Sequence, residues 1–144
     1  MKNPAKQIKI FTVILIIIEF FNGLSGLAGG FGLISDPTAA SLGMELSWLD
    51  GTPFNTYLIP GIVLLAFNGL GNIIATILSL KKNKYMNEVA VFFGFGMMIW
   101  IVSQVLWIGY KSFLQPLYFS TGLVQAILGL FIWRKMRAKV KRSG

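Results

Sequence analysis

The sequence predicts an all-α integral membrane protein: an up-down-up-down bundle of four helices with both termini in the cytoplasm. Three observations predict it. Of the 144 residues, 55% are hydrophobic and 12% are charged, against about 25% charged in a soluble domain. The mean hydropathy is +0.70. The apolar residues also fall into four blocks, each close to the ~20 residues that a ~30 Å hydrocarbon core requires. These blocks consume most of the chain, so residues 1–144 form a single membrane domain.

The first span runs from about Ile8 to Gly30. Lysines precede it, and Gly26-Leu-Ala-Gly-Gly30 has the look of a signal-peptide cleavage site. Glu19 interrupts the apolar run, so a retained helix is expected instead. The second span covers Tyr57 to Leu80, the third Val89 to Tyr110, and the fourth about Pro116 to Trp133. Residues 81–88 and 111–116 are short connections, which make sequential helices antiparallel. Pro116 suits the first turn of the fourth helix, where its missing N–H costs nothing.

Basic residues set the expected orientation. They cluster at Lys2, Lys6 and Lys9, at Lys81, Lys82 and Lys84, and in the tail 134–144 at Arg134, Lys135, Arg137, Lys139, Lys141 and Arg142. The 35–56 loop holds Asp36, Glu45 and Asp50 and no Lys or Arg. This asymmetry implies a plasma-membrane protein with an extracellular 35–56 loop. Trp48, Tyr57, Tyr110 and Tyr118 mark the outer interface, and Tyr85 and Trp133 the inner one. Lys111 can snorkel outward from the end of the third span. The net charge of +8 therefore reads as topology signals and contacts to anionic lipid, not as a nucleic-acid surface.

The chain has no cysteine and no histidine. That excludes disulfides, thiolate nucleophiles, His-dependent triads and the commonest metal ligands. It has no phosphate-binding Gly-Lys-Ser/Thr loop, no dinucleotide glycine pattern and no Gly-x-Ser-x-Gly elbow. The spacing of Asp36, Glu45 and Asp50 fits no calcium loop. No cofactor, metal or catalytic residue is expected; an intramembrane catalyst built from acids, amides and aromatics stays open as the least supported class.

In the 35–56 loop, Asp36-Pro37 and Asp50-Gly51 are turn signals. Leu42, Met44, Leu46 and Trp48 alternate as a short strand would, whereas Leu42, Leu46 and Leu49 fit a helical turn. Both readings stay open. Either places an apolar stretch against the membrane surface or over the end of the bundle.

Each span carries polar groups in its central third. Counted from the basic end of each span, Glu19 lies at ~16 Å, Asn22 at ~21 Å, Asn68 at ~18 Å, Asn72 at ~12 Å, Gln104 at ~22 Å and Gln125 at ~12 Å. They share helical faces with small residues: Glu19 with Gly23, Gly26 and Gly30; Asn68 and Asn72 with Gly61 and Thr76; Gln104 with Gly96; Gln125 with Gly122 and Gly129. Small residues let backbones approach, and amides then bond across the seam. The four faces are therefore expected to converge. Amides at such seams are commonly structural, at about 0.6 kcal/mol each. A carboxylate at a helix centre costs about 2.5–3.5 kcal/mol, while protonating it at pH 7 from a reference pKa near 4.3 costs about 3.7 kcal/mol. The two are close, and the expectation is a neutral Glu19 hydrogen-bonded to the amides. Phe21-Asn22-Gly23-Leu24 recurs as Phe67-Asn68-Gly69-Leu70, and inverted repeats occur in transporters. In a chain so rich in these letters, the match carries little weight.

Asp36-Pro37, Leu42-Gly43-Met44, Leu49, Thr52-Pro53-Phe54 and Tyr57-Leu-Ile-Pro60-Gly61 form a pattern, with Ser103-Gln104, Ile108-Gly109-Tyr110 and Leu114-Gln115-Pro116 later. This pattern resembles a recurring group of small prokaryotic four-span membrane proteins, and the layout is loosely similar to DoxX-like proteins. The resemblance covers under half the chain and implies a layout without catalytic residues. Asp36, Pro37, Pro53, Phe54, Tyr57, Pro60 and Gly61 read as a folding signature, with Pro60-Gly61 tolerating a bent helix entry.

Two functions follow as expectations. One is a carrier or ligand-binding bundle using Glu19, Asn22, Asn68, Asn72, Gln104 and Gln125. The other is a non-enzymatic accessory protein contacting lipid or another membrane protein. Membrane lipids are the expected partners, and a homo-oligomer or membrane-protein partner suits a bundle this small. A cavity reaching Glu19 supports the first; a packed interior with outer grooves supports the second.

Overall fold

The computed structural model describes residues 3–143; Lys2 of the first basic cluster and Gly144 of the tail lie outside the described residues. All regular structure among the described residues is helical. Four helices are long and apolar enough to cross a membrane: α1 (Pro4–Ser35), α2 (Leu58–Leu80), α3 (Met86–Ile108) and α4 (Leu114–Ser143).

Local chemistry sets the ends. Asn3 caps α1 by accepting from the Ala5 and Lys6 N–H groups at 3.0 and 3.4 Å, with Pro4 in the first turn. Pro60 is the third residue of α2, where an N–H has no partner within the helix. After α2, Lys82 adopts a left-handed conformation (φ 52°) and Asn83 N–H returns to Leu78 O at 2.9 Å, a Schellman-type close. Gly109 at φ 81° ends α3. Two helices outrun the apolar spans. α1 extends past both ends of 8–30, and α4 continues through the basic tail. Residues 130–143 contain neither Gly nor Pro and are rich in Lys and Arg, so nothing stops the helix at Trp133.

Sequential helices pack antiparallel, and the seams differ in closeness. A Cβ on Gly26 would lie 2.5 Å from Gly69 N, and one on Gly30 would lie 2.6 Å from Leu65 N. On the other side, a Cβ on Gly94 would meet Gly122 O at 2.7 Å. The α1–α2 and α3–α4 seams are thus backbone against backbone, which only glycine permits. The α2–α3 seam is wider. The Phe93 ring packs against Gly71 and the Phe67 ring against Gly96, inside a cluster with Phe92. α1 and α4 close the bundle through Phe11–Phe131 (centroids 4.9 Å), Phe21–Tyr118 (5.8 Å) and Lys135 Nζ donating to Gln7 Oε1 at 2.8 Å.

The loop after α1 forms two 3-10 turns, Ala40–Leu42 and Leu46–Leu49. The helical spacing of Leu42, Leu46 and Leu49 prevails over the alternation. Asp36 explains why: its Oδ1 accepts from Thr38 Oγ1 at 2.6 Å and its Oδ2 from Ser41 N–H at 3.0 Å, which curls the chain immediately. Ala39, Leu49 and Tyr57 then pack on Leu33, with Phe54 and Met44 beside them. Tyr57 is tied twice, by its N–H to Pro37 O at 2.9 Å and its hydroxyl to Glu45 O at 2.7 Å. Phe54 packs on Trp107 at 5.4 Å, and Lys111 Nζ lies 5.1 Å from the Trp48 ring. The loop therefore covers the end of the bundle, and the motif residues Asp36, Pro37, Phe54, Tyr57 and Gly61 act in that packing. Gly61 does so by lying against Leu33. Pro53 is exposed.

Candidate functional site

An amide layer crosses the bundle. Asn22 Nδ2 (α1) donates to Gln125 Oε1 (α4) at 2.8 Å. Gln125 Nε2 donates to Asn72 Oδ1 (α2) at 2.9 Å and to the Ala90 carbonyl (α3) at 3.0 Å. Thr121 Oγ1 donates to Asn22 Oδ1 at 2.7 Å, and Asn72 Nδ2 to the Asn68 carbonyl at 2.9 Å. Asn22, Asn72 and Gln125 are fully buried. Both N–H bonds of Gln125 are in use, and so is its carbonyl. A network satisfied to this degree stiffens a core and fixes its register.

Three predicted members stand apart from it. Gln104 accepts from Gln115 Nε2 at 3.4 Å near the loop end of α3, so it belongs to the α3–α4 corner and not to the layer. Gln115 organises that corner, since its Oε1 also accepts from Lys111 N–H at 2.8 Å. Asn68 joins the layer through its carbonyl alone; both atoms of its side-chain amide are buried without a partner. It sits in a π-helical stretch, Leu64–Leu70, inside α2. Such stretches recur at functional sites because they displace the regular ladder.

Glu19 is the third. It is 0% exposed, so the carboxyl does point inward. The expected hydrogen bonds from the amides do not form; Asn22, Asn72 and Gln125 bond to one another instead. Ser79 of α2 faces the carboxyl group. In the structure's geometry, however, Glu19 Oε1, Glu19 Oε2 and Ser79 Oγ all lack a hydrogen-bond partner. An orphaned polar group of this kind costs about 1–3 kcal/mol, and more when charged.

A groove of about 1000 Å³ opens on the outside of the bundle where the phenylalanines hold α2 and α3 apart. Phe67, Phe92, Phe95, Ile99 and Trp100 form its wall. Along α3 it runs from Asn87 to Ser103, roughly 24 Å at 1.5 Å per residue. Asn68 lines it midway, and Asn87 at one end, where Asn87 Oδ1 is also buried without a partner. Trp133 borders that end, with the Arg137 guanidinium 4.8 Å from its ring. Of the six residues read as a ligand set, Asn68 alone lines this groove; Glu19, Asn22, Asn72, Gln104 and Gln125 do not.

Sequence reasoning passed over Thr121, Ser79 and Asn87. Thr121 lies one turn before Gln125 on the same face, and that spacing was a usable signal. Ser79 and Asn87 sit at span ends, where a polar residue looks like a boundary. Among the described residues, no group of three acidic side chains could hold a metal ion. No protein-family model, curated protein or solved structure gives a significant match to this chain.

Proposed function

We propose that this is a multi-pass plasma-membrane protein, with both termini and residues 81–88 in the cytoplasm, that binds the apolar chain of a membrane lipid between α2 and α3. The groove carries this reading. Its wall is aromatic and aliphatic, its length suits an extended acyl chain, and its mouth lies among interfacial Trp133, Arg137 and Glu88. Basic residues beside each span favour anionic headgroups at the same end. Lipid recognition is preferred to passage of a solute past Glu19, since that residue lies in the bundle core and outside the groove. The orientation rests on the charge asymmetry of the loops.

Native mass spectrometry of protein extracted in mild detergent tests this. The wild type should retain one lipid. Ile99→Trp should lose it, since Ile99 is 65% exposed and a larger ring there fills the groove without entering the core. A wild type free of lipid adducts, or one whose groove is covered by a second copy in a detergent-stable dimer, overturns the proposal.

A further inference from the structure

We propose that Glu19 and Ser79 form a closed site for one monovalent cation, either a proton or a sodium ion. This inference is independent of the lipid groove. Register brings the two residues together. Gly23 faces Ile73 and Gly26 faces Gly69, so the antiparallel pairing carries Glu19 to the Thr76–Ser79 turn of α2. Glu19 is 0% and Ser79 1% exposed, and all three of their side-chain oxygens lack partners.

The surroundings supply no counter-charge. α2 has no charged residue, Lys81 and Lys82 just beyond its end are exposed, and the one charge of α3, Glu88, lies in its first turn at the groove mouth. The Arg and Lys residues of α4 all follow Ile132, which packs with Leu15, Met86 and Ala90 in an apolar layer. Lys6 and Lys9 of α1 lie more than two turns before Glu19. On the other side, the Asn22, Asn72 and Gln125 amides bond to one another and to the Asn68 and Ala90 carbonyls, and none of them reaches Glu19. Thr76 Oγ1 donates to Asn72 O at 2.8 Å, which leaves its lone pairs available.

Charge selects the ligand. A single carboxylate among neutral hydroxyls is neutralised by one positive charge; a divalent ion leaves a buried excess, and an anion worsens the deficit. Oxygen donors suit a hard cation. A bound proton makes the carboxyl O–H a donor to Ser79 Oγ, and both groups then have a partner. Bound sodium takes Glu19 and Ser79 Oγ as ligands directly.

Two measurements on the purified full chain decide it. The first is thermal stability with sodium chloride against choline chloride at constant ionic strength. The second is the infrared difference spectrum across an acid–base titration. Sodium binding gives a saturable sodium-dependent rise in Tm that Glu19→Gln abolishes and that Ser79→Ala moves to about tenfold higher concentration. Proton binding gives a titrating carboxylic-acid band that Glu19→Gln removes and Ser79→Ala displaces. Should Glu19→Gln fail to fold, Ser79→Ala carries the test, because it removes only a hydroxyl. A wild type with neither response, or responses untouched by Ser79→Ala, overturns the proposal.

Discussion

The Asn22 side-chain N–H and the Gln125 carbonyl meet at 2.8 Å across 103 positions of sequence, joining the first helix to the last. Asn22 lies 18 residues after Pro4, and Gln125 lies 18 residues before Ser143. Each is therefore ~27 Å from the terminal end of its helix. Counted from the apolar span ends instead, the same two residues fall ~9 Å apart. The level of the amide layer follows the full helices, tail included, and not the hydrophobic blocks. Lys135 bound to Gln7 holds those outer turns together.

Replacing Gln125 by Leu removes three bonds and leaves Asn22 Nδ2, Asn72 Oδ1 and the Ala90 carbonyl without their partner. At about 0.6 kcal/mol per membrane hydrogen bond plus the cost of orphaned groups, the loss should be about 2–4 kcal/mol. Denaturant unfolding in micelles measures it. The Asn22→Leu/Gln125→Leu pair should cost less than the sum of the single changes, because the second removes a group the first has already orphaned.

Gly26→Ala should destabilise by about 1–3 kcal/mol, since its Cβ meets the Gly69 and Asn68 backbone at 2.5 and 2.7 Å and neither can rotate away. Gly32→Ala is the comparison. There the nearest atom is the Leu42 side chain at 3.2 Å, which is flexible. The same unfolding assay should find Gly32→Ala close to wild type. Equal effects at the two positions would show that helix α1 can slide on α2 and that the backbone contact sets nothing.

Asp36 gives the loop a pH dependence. Hydrogen bonds from the Thr38 hydroxyl and the Ser41 N–H hold its carboxyl below the usual 3.8. A depressed value in the folded state means that the stabilisation is complete above the unfolded value and fades as pH falls through the folded one. Asp36→Asn keeps one acceptor and loses the other. Wild type should therefore melt above Asp36→Asn at neutral pH, with the gap closing in acid below about pH 4. A gap constant between neutral and acid pH would mean the charge on Asp36 is irrelevant to the loop.

Four spans and an amide layer were legible because each rests on a strong local signal: block length, and amides repeating three or four residues apart beside glycines. The groove was not legible. It exists because Phe67 and Phe93 each fill the space over a glycine on the facing helix, and within an apolar run a spacer phenylalanine reads like any other. The placement of Asn68 was hidden by the π stretch, which no residue pattern announced. Gln104 was misplaced because depth alone put it at mid-span, whereas its partner, Gln115, comes from the first turn of α4. The loop conformation was decided by Asp36 side-chain bonds, which outweigh a four-residue alternation.

Asn68→Leu separates packing from binding. The Asn68 carbonyl bond to Asn72 survives this change, since it uses the backbone. What disappears is an amide that is 0% exposed and has neither atom paired within the chain. Removing an orphaned polar group relieves about 1–3 kcal/mol, so delipidated Asn68→Leu should be more stable than the delipidated wild type. An acyl chain offers no hydrogen-bond partner to recover that cost, and the amide is buried beside the groove. The wild type and Asn68→Leu should accordingly gain similar thermal stability from added lipid and retain it equally in native mass spectra. A variant that is more stable yet loses the lipid would assign Asn68 to a polar ligand group and not to an acyl chain.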